Sequence, residues 1–261
     1  MSRLTQAIED VTAQGDKAFI PYIMAGDGGL ETLKPTILTL QKLGVTAIEI
    51  GIPFTDPVAD GPTIEEAGYR ALQAGASLRT VLEELQTFRD DITVPLVAMT
   101  YLNPILAFGV ELFAIEAKEA GIEGLIVPDM PLEESVIIHD ALRVAEIDLV
   151  QLVSLTSPAE RIAKITAASE GFVYAVTVNG ITGARQAFHE ELSAHFNNLA
   201  TYTTKPILAG FGISTPAQVE QLGQLGSGVI VGSKIVDALT KNDWATIEAL
   251  IAASKQSALR A

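Results

Sequence analysis

Apolar residues recur along this chain in two alternating patterns. Leu30, Leu33, Ile37 and Leu40 are spaced for one face of a helix, Gly44 ends that helix, and a short apolar run over 47–51 follows. The unit repeats. Gly121 precedes an apolar run over 124–127, Gly171 one over 172–176, and Val219, Leu222 and Leu225 form a face closed by Gly226 before 228–231. Helix starts are marked as well. Ser157-Pro158-Ala159-Glu160 reads as a capping box with proline at the first helical position, and Thr215-Pro216 and Asn242 read as N-caps. Apolar runs bounded in this way predict eight strands, at about 18–23, 47–51, 95–101, 124–127, 148–152, 172–176, 206–209 and 228–231.

Strands alternating with helices imply a parallel sheet, and eight units in 261 residues fit a closed (β/α)8 TIM barrel. An open doubly wound sheet is the alternative, but no GxGxxG follows the first run. A helix around Leu4, Ile8 and Val11 precedes the first strand and is expected to plug the bottom of the barrel. No linker or low-complexity stretch divides the chain, so residues 1–261 are expected to form one domain of α/β class. The uncharged stretch 92–110 is nearly long enough to span a bilayer, but Pro95, Asn103, Pro104 and Gly109 make it a buried strand followed by a loop.

Charge narrows the function. With 17 basic and 32 acidic residues the chain carries a formal −15, which argues against nucleic acid or an anionic membrane as partner. The absence of cysteine removes disulfides, thiolate metal sites and cysteine nucleophiles, and is compatible with the cytosol. No signal-peptide core is visible over 1–14, and no metal site is expected.

Barrels of this kind work at the C-terminal ends of their strands. The second such end is IEIGIPFTDPVADGP, residues 48–62. Alternation turns Ile48, Ile50 and Ile52 towards the helices, and Ala47, Glu49 and Gly51 inward. An ionised carboxylate facing inward is costly, so Glu49 needs either a raised pKa, which suits proton exchange, or a structural partner. Residues alone weigh these two readings equally. The prolines of the following loop restrict it around Asp56 and Asp60; Asp56 reads as a turn residue, and Asp60 either holds a carboxylate over the site or caps the next helix. The glycine pair of Gly210-Phe211-Gly212 and the single glycine of Gly232-Ser233 follow the seventh and eighth strands, where barrels often cradle phosphate on backbone N–H groups and a helix N-terminus. Plain turns are the competing reading.

The 48–62 segment resembles the signature of the tryptophan synthase alpha subunit family. The likeness continues through FIPYIMAGD (19–27), MTYLNPI (99–105), IVPDMPLEES (126–135), NGITGAR (179–185), AGFGIS (209–214) and GVIVGSKIV (228–236). The resemblance implies a carbon–carbon lyase cleaving indole-3-glycerol phosphate, with Glu49 and Asp60 as the catalytic pair. It implies Tyr22, Met99, Tyr101, Val127, Tyr174 and Phe211 around the indole, and a lid whose Thr182 reaches Asp60. It adds Gly183 to Gly212, Gly232 and Ser233 at the phosphate, and gives Asp129 a supporting role. It implies no cofactor in this chain, a pyridoxal phosphate-dependent beta subunit as partner in an alpha2beta2 tetramer, and a cytoplasmic location. A stand-alone lyase releasing free indole is the alternative. Val178 and Lys234 depart from the family pattern, the latter expected in solvent. The loops 53–60 and 101–108, with Phe54, Val58, Leu102, Ile105, Leu106 and Phe108 expected at the surface, are the expected docking rim. His139, His189 and His195 fall on expected helices and carry no chemistry.

Overall fold

The computed structural model describes residues 1–176, 185–210 and 212–255, with only the backbone of 185–189. Among them, strands β1 (Ala18–Met24), β2 (Ile48–Gly51), β3 (Leu96–Met99), β4 (Ile122–Ile126), β5 (Asp148–Leu149), β6 (Gln151–Ser154), β7 (Val173–Val176), β8 (Ile207–Gly210) and β9 (Gly228–Val231) form one parallel sheet. Its order is β5-β4-β3-β2-β1-β9-β8-β7-β6. β5 and β6 are the two halves of the expected fifth strand. Leu149 pairs with β4 and Gln151 with β7, while the N–H of Val150 between them donates to Leu125 O at 2.9 Å. One strand thus hands its hydrogen bonds from one neighbour to the other, and the sheet closes through it into the expected (β/α)8 barrel.

The apolar positions sort into two layers. Ile48, Ile50, Leu125, Val173 and Val229 belong to the cluster beneath the helices. Ile20, Val97, Ile126, Phe172, Leu208 and Ile230 fill the barrel itself. Leu4 and Ile8 of α1 (Arg3–Ala13) are fully buried in that inner cluster. A Cβ at Gly124 or Gly171 would come within 2.9 or 2.8 Å of the Leu4 side chain, so the two glycines make room for the plug.

The remaining helices alternate with the strands. They are α2 (Leu33–Lys42), α3 (Pro62–Gln73), α4 (Leu78–Thr87), α5 (Leu102–Phe108), α6 (Val110–Glu119), α7 (Val136–Val144), α8 (Ala159–Ala168), α9 (Arg185–Tyr202), α10 (Pro216–Leu225), α11 (Ser233–Thr240) and α12 (Trp244–Ala252). Thr215 caps α10 in a capping box with Gln218. Three local expectations need correction. Ser157 does not cap α8; its hydroxyl pairs with that of Ser154 at 3.1 Å. Asp243, not Asn242, caps α12, and Asn242 sits at φ 52. Gly226 closes α10 as expected; it does so in extended backbone, and a side chain there would meet Ile207 O at 2.4 Å, so close approach explains the glycine. Residues 102–108 form a helix rather than a loop, because Pro104 falls in the first turn, where an N–H has no intrahelical partner to lose. Among the described residues no helix is long and apolar enough to cross a membrane.

Candidate active site

Glu49 occupies the middle of β2, 1% exposed, with its Oε2 buried and lacking a hydrogen-bond partner among the described residues. Strand alternation puts it inside the barrel, between Ile48 and Ile50 of the outer layer. Burial, and then the charge of nearby Asp60, push its carboxyl up to about 8. A group in that range changes protonation close to neutral pH and serves as acid and base.

Asp60 lies on the loop between β2 and α3. Gly61 occupies the N-cap of α3 and makes no side-chain cap, so the helix-cap reading of Asp60 falls away. Burial raises the Asp60 carboxyl to about 6, opposed by a hydrogen bond from the Tyr101 hydroxyl and aided by Glu65. Asp60 therefore ionises first, beside a Glu49 that is still neutral, and Glu49 then has to ionise against an existing charge. Two neighbouring carboxyls held apart in this way are the mark of an acid–base division of labour. Asp56 keeps its turn role, accepting from Thr55 Oγ1 at 2.6 Å.

Three tyrosines surround the pair. Tyr22 is the β1 partner of Glu49 in the sheet register. Its ring passes so close over Gly51 that a Cβ there would lie 1.9 Å from the phenol oxygen. Tyr174 on β7 lies over Gly210 of β8 in the same way, 2.1 Å from where a Cβ would stand. Both phenols are held well above their ordinary range by burial and then by the carboxylates, Asp60 and Glu49 for Tyr22 and Glu49 for Tyr174. They remain neutral. Tyr101 is buried, accepts the Ala59 N–H at 3.0 Å, and stacks against Phe54 at a ring separation of 5.4 Å. Met99 joins Tyr22 and Tyr174 in the inner cluster.

Val127 does not join them. It packs in the outer layer with Leu125, and Ile126 takes the inward position, because Gly124 and Ile126 are the inward residues of β4. Ile126 went unnoticed in the sequence, although alternation from Gly124 marks it. Phe54 over Tyr101 was also missed as a site residue; no spacing rule joins residues on separate loops. The Asp129 carboxylate accepts the Leu102 N–H at 3.0 Å at the start of α5.

At the far side of the mouth Gly212 has φ 76, which favours glycine. Gly232 is the N-cap of α11, and Ser233, exposed, is its first residue. A helix N-terminus with unpaired N–H groups favours an anion. Lys234 pairs with Asp237 at 3.8 Å. Thr182, Gly183 and Phe211, with Val178, lie outside the described residues. Among the described residues no cluster of three or more His, Asp or Glu is placed to hold a metal ion. His139 and His195 lie on α7 and α9.

On the rim, Val58 is 81% exposed and Leu106 45%. Leu102 and Phe108 are partly buried, and Ile105, expected outside, is wholly buried because α5 turns it into the outer core.

The family model described as "Tryptophan synthase alpha chain" matches residues 8–259. The tryptophan synthase alpha chain of Bacillus cereus (strain ATCC 10987 / NRS 248) is 51% identical over 251 residues, covering 96% of this chain and 97% of that one. That of Bacillus thuringiensis subsp. konkukian (strain 97-27) is 50% identical over 256 residues, covering 98% of each. Among solved structures, Mycobacterium tuberculosis tryptophan synthase in space group F222 superimposes with a TM-score of 0.89 at 33% identity, covering 97% of this chain and 98% of that one. Tryptophan synthase subunit alpha from Legionella pneumophila str. Paris does so with a TM-score of 0.88 at 32% identity, covering 97% and 98%.

Proposed function

The chain belongs to the tryptophan synthase alpha chain family, and we propose that Glu49 and Asp60 are the acid–base pair of its reaction. It is a lyase of tryptophan biosynthesis that cleaves indole-3-glycerol phosphate, and the indole passes to a beta subunit. The observation that carries the assignment is the buried carboxyl of Glu49, near 8, beside that of Asp60, near 6.

The reaction protonates indole C3, breaks the bond from C3 to the glycerol chain, and removes the proton of the hydroxyl on the adjacent side-chain carbon, which becomes the aldehyde of glyceraldehyde 3-phosphate. Glu49 starts neutral and gives its proton to C3. Now a carboxylate, it takes the hydroxyl proton as the carbon–carbon bond breaks and ends neutral again. The indole nitrogen becomes positive on the way, and the Asp60 carboxylate beside the N–H stabilises it. Tyr101 steadies Asp60 through its hydroxyl. Tyr22, Met99 and Tyr174, with Phe211, flank the ring; the inward Ile126 replaces Val127 in that wall. Backbone N–H groups at Gly212, Gly232 and Ser233, with Gly183, hold the phosphate, a local site that works despite the overall negative charge. Thr182 closes on Asp60 when the lid shuts.

The same reading gives this chain no cofactor of its own, assigns pyridoxal phosphate to the beta subunit of an alpha2beta2 tetramer, and puts the enzyme in the cytoplasm. The docking rim centres on Val58 and Leu106, apolar groups that gain by leaving water. Indole release by the isolated chain, measured with and without a matching beta subunit, tests this. A rate that rises on mixing, with Val58→Asp weakening the rise more than the basal rate, supports the alpha-subunit role. Undiminished turnover alone, with no complex formed, would make the chain a stand-alone lyase.

A further inference from the structure

A cleft of about 760 Å3 lies between the loop after β1, α2, α3, α11 and the start of α12. Small-molecule sites range over about 300–1,000 Å3. Its apolar lining includes Leu33, Leu239 and Trp244, and its charged lining is Asp27, Glu31 and Arg70. Arg70 grips Asp27 with two hydrogen bonds, Nε to Oδ1 at 2.7 Å and Nη2 to Oδ2 at 2.8 Å. Its Nη1 makes no hydrogen bond among the described residues, and the Glu31 carboxylate, laid over Gly29, makes no ion pair among them. The paired charges cancel, leaving one free edge of a guanidinium and one free carboxylate beside an apolar wall. The Trp244 indole is fixed in that wall, because its N–H donates at 3.0 Å to Asn242, a residue at φ 52.

We propose that this cleft is a second binding site, for a zwitterionic amino acid with a large apolar side chain. The carboxylate of the ligand meets Arg70 Nη1, its ammonium meets Glu31, and its side chain covers Leu33, Leu239 and Trp244. A ligand lacking either charge leaves one of these groups without a counter-ion.

The position of Arg70 makes the site regulatory. Arg70 belongs to α3, the helix that follows Asp60. Its Nη2 also reaches Thr240 Oγ1 at 3.5 Å, at the end of α11, the helix that begins with Ser233. One guanidinium therefore ties the loop after β1 to the helices behind the proposed acid–base and phosphate groups. A ligand that draws on it acts on both, which is coupling between two sites. This coupling rests on the lyase reading; the binding itself does not.

Trp244 is the only tryptophan of the chain, so it reports occupancy without labelling. L-phenylalanine is titrated into the purified chain while tryptophan emission is followed, and indole release is measured in parallel. The expected result is a saturable change in emission at millimolar ligand. Phenethylamine and hydrocinnamate, each lacking one charge, should bind about tenfold more weakly, as should L-phenylalanine to Glu31→Gln, whose basal indole release stays unchanged. No saturable change, equal binding of the three compounds, or unaltered binding to Glu31→Gln would overturn the site. Binding that leaves the rate of an active enzyme unmoved would overturn the coupling. A chain that binds the amino acid but releases no indole would count against the lyase reading instead.

Discussion

The backbone N–H of Ala59 donates to the hydroxyl of Tyr101 across 3.0 Å, and the same hydroxyl hydrogen-bonds onward to the carboxylate of Asp60. Tyr101 stands just past β3, and Asp60 on the loop after β2. A phenol anchored in the neighbouring unit thus holds the loop, and pulls the Asp60 carboxyl down against the rise that burial imposes.

This sets the pH dependence of the reaction. In the proposed mechanism the working state has Asp60 ionised and Glu49 protonated, so kcat/KM should rise through about 6 and fall through about 8. Tyr101→Phe removes the hydrogen bond that lowers Asp60. Its acid limb should move to higher pH and the plateau narrow, with the alkaline limb unmoved. The shift is read against the unsubstituted enzyme, because a phosphate monoester also titrates near pH ~6. An acid limb that stays in place in Tyr101→Phe would detach Tyr101 from Asp60.

Glu49 costs the fold stability. Its carboxyl is held near 8, far above the ordinary 4.5, so the folded chain binds the proton more tightly than the unfolded chain. Stability is therefore lost as pH rises from 4.5 to 8, by about 1.4 kcal/mol per unit at the limit. Glu49→Gln carries no such loss. Its Tm should match the parent near pH 4, exceed it by a margin that grows up to pH 8, and keep a constant margin beyond. Parallel Tm curves for the two proteins would mean that Glu49 is ionised and paired instead.

Gly51 tests the packing of the mouth. A methyl there overlaps the Tyr22 phenol, and overpacking of this kind costs about 1–3 kcal/mol. Gly51→Ala should lower both Tm and indole release. Adding Tyr22→Leu should return most of the Tm, with a coupling energy that additive effects would not give. Equal Tm losses with and without Tyr22→Leu would separate the two residues.

Much of this was legible in the sequence. Ile48, Ile50 and Ile52 against Glu49 and Gly51 gave the facing of β2, because a two-residue period has one solution once three isoleucines need cover. Leu4 and Ile8, spaced for one helix face, foretold the plug. The misreadings have a shared cause. Ser157, Asn242 and residues 102–108 carry residue types that suit both the expected local structure and the observed one, and competing hydrogen bonds chose: the nearby Ser154 for Ser157, the nearby Trp244 indole for Asn242, and the distant Asp129 at the first turn of α5. Val127 was assigned by resemblance where alternation would have selected Ile126. The bond from Tyr101 to Asp60 joins separate loops, so no periodicity reveals it.

The phosphate site is best tested at Ser233. Gly212 is a poor choice, because φ 76 would strain any side chain there. Ser233 is exposed at the first position of α11, where an acidic residue suits the helix dipole. Ser233→Asp should leave Tm unchanged or higher while placing a negative charge beside the dianion. KM for indole-3-glycerol phosphate should rise about tenfold or more, since one tenfold step is only ~1.4 kcal/mol. An unchanged KM would move the phosphate elsewhere.

The central assignment is the acid–base role of Glu49, and the rate of indole release from indole-3-glycerol phosphate by Glu49→Gln tests it most directly. An amide fills the same space but can neither give a proton to C3 nor take one from the hydroxyl. The account predicts that release falls to background while the variant still binds glycerol phosphate and keeps its fold. A Glu49→Gln variant that releases indole at more than a small fraction of the parent rate would contradict it.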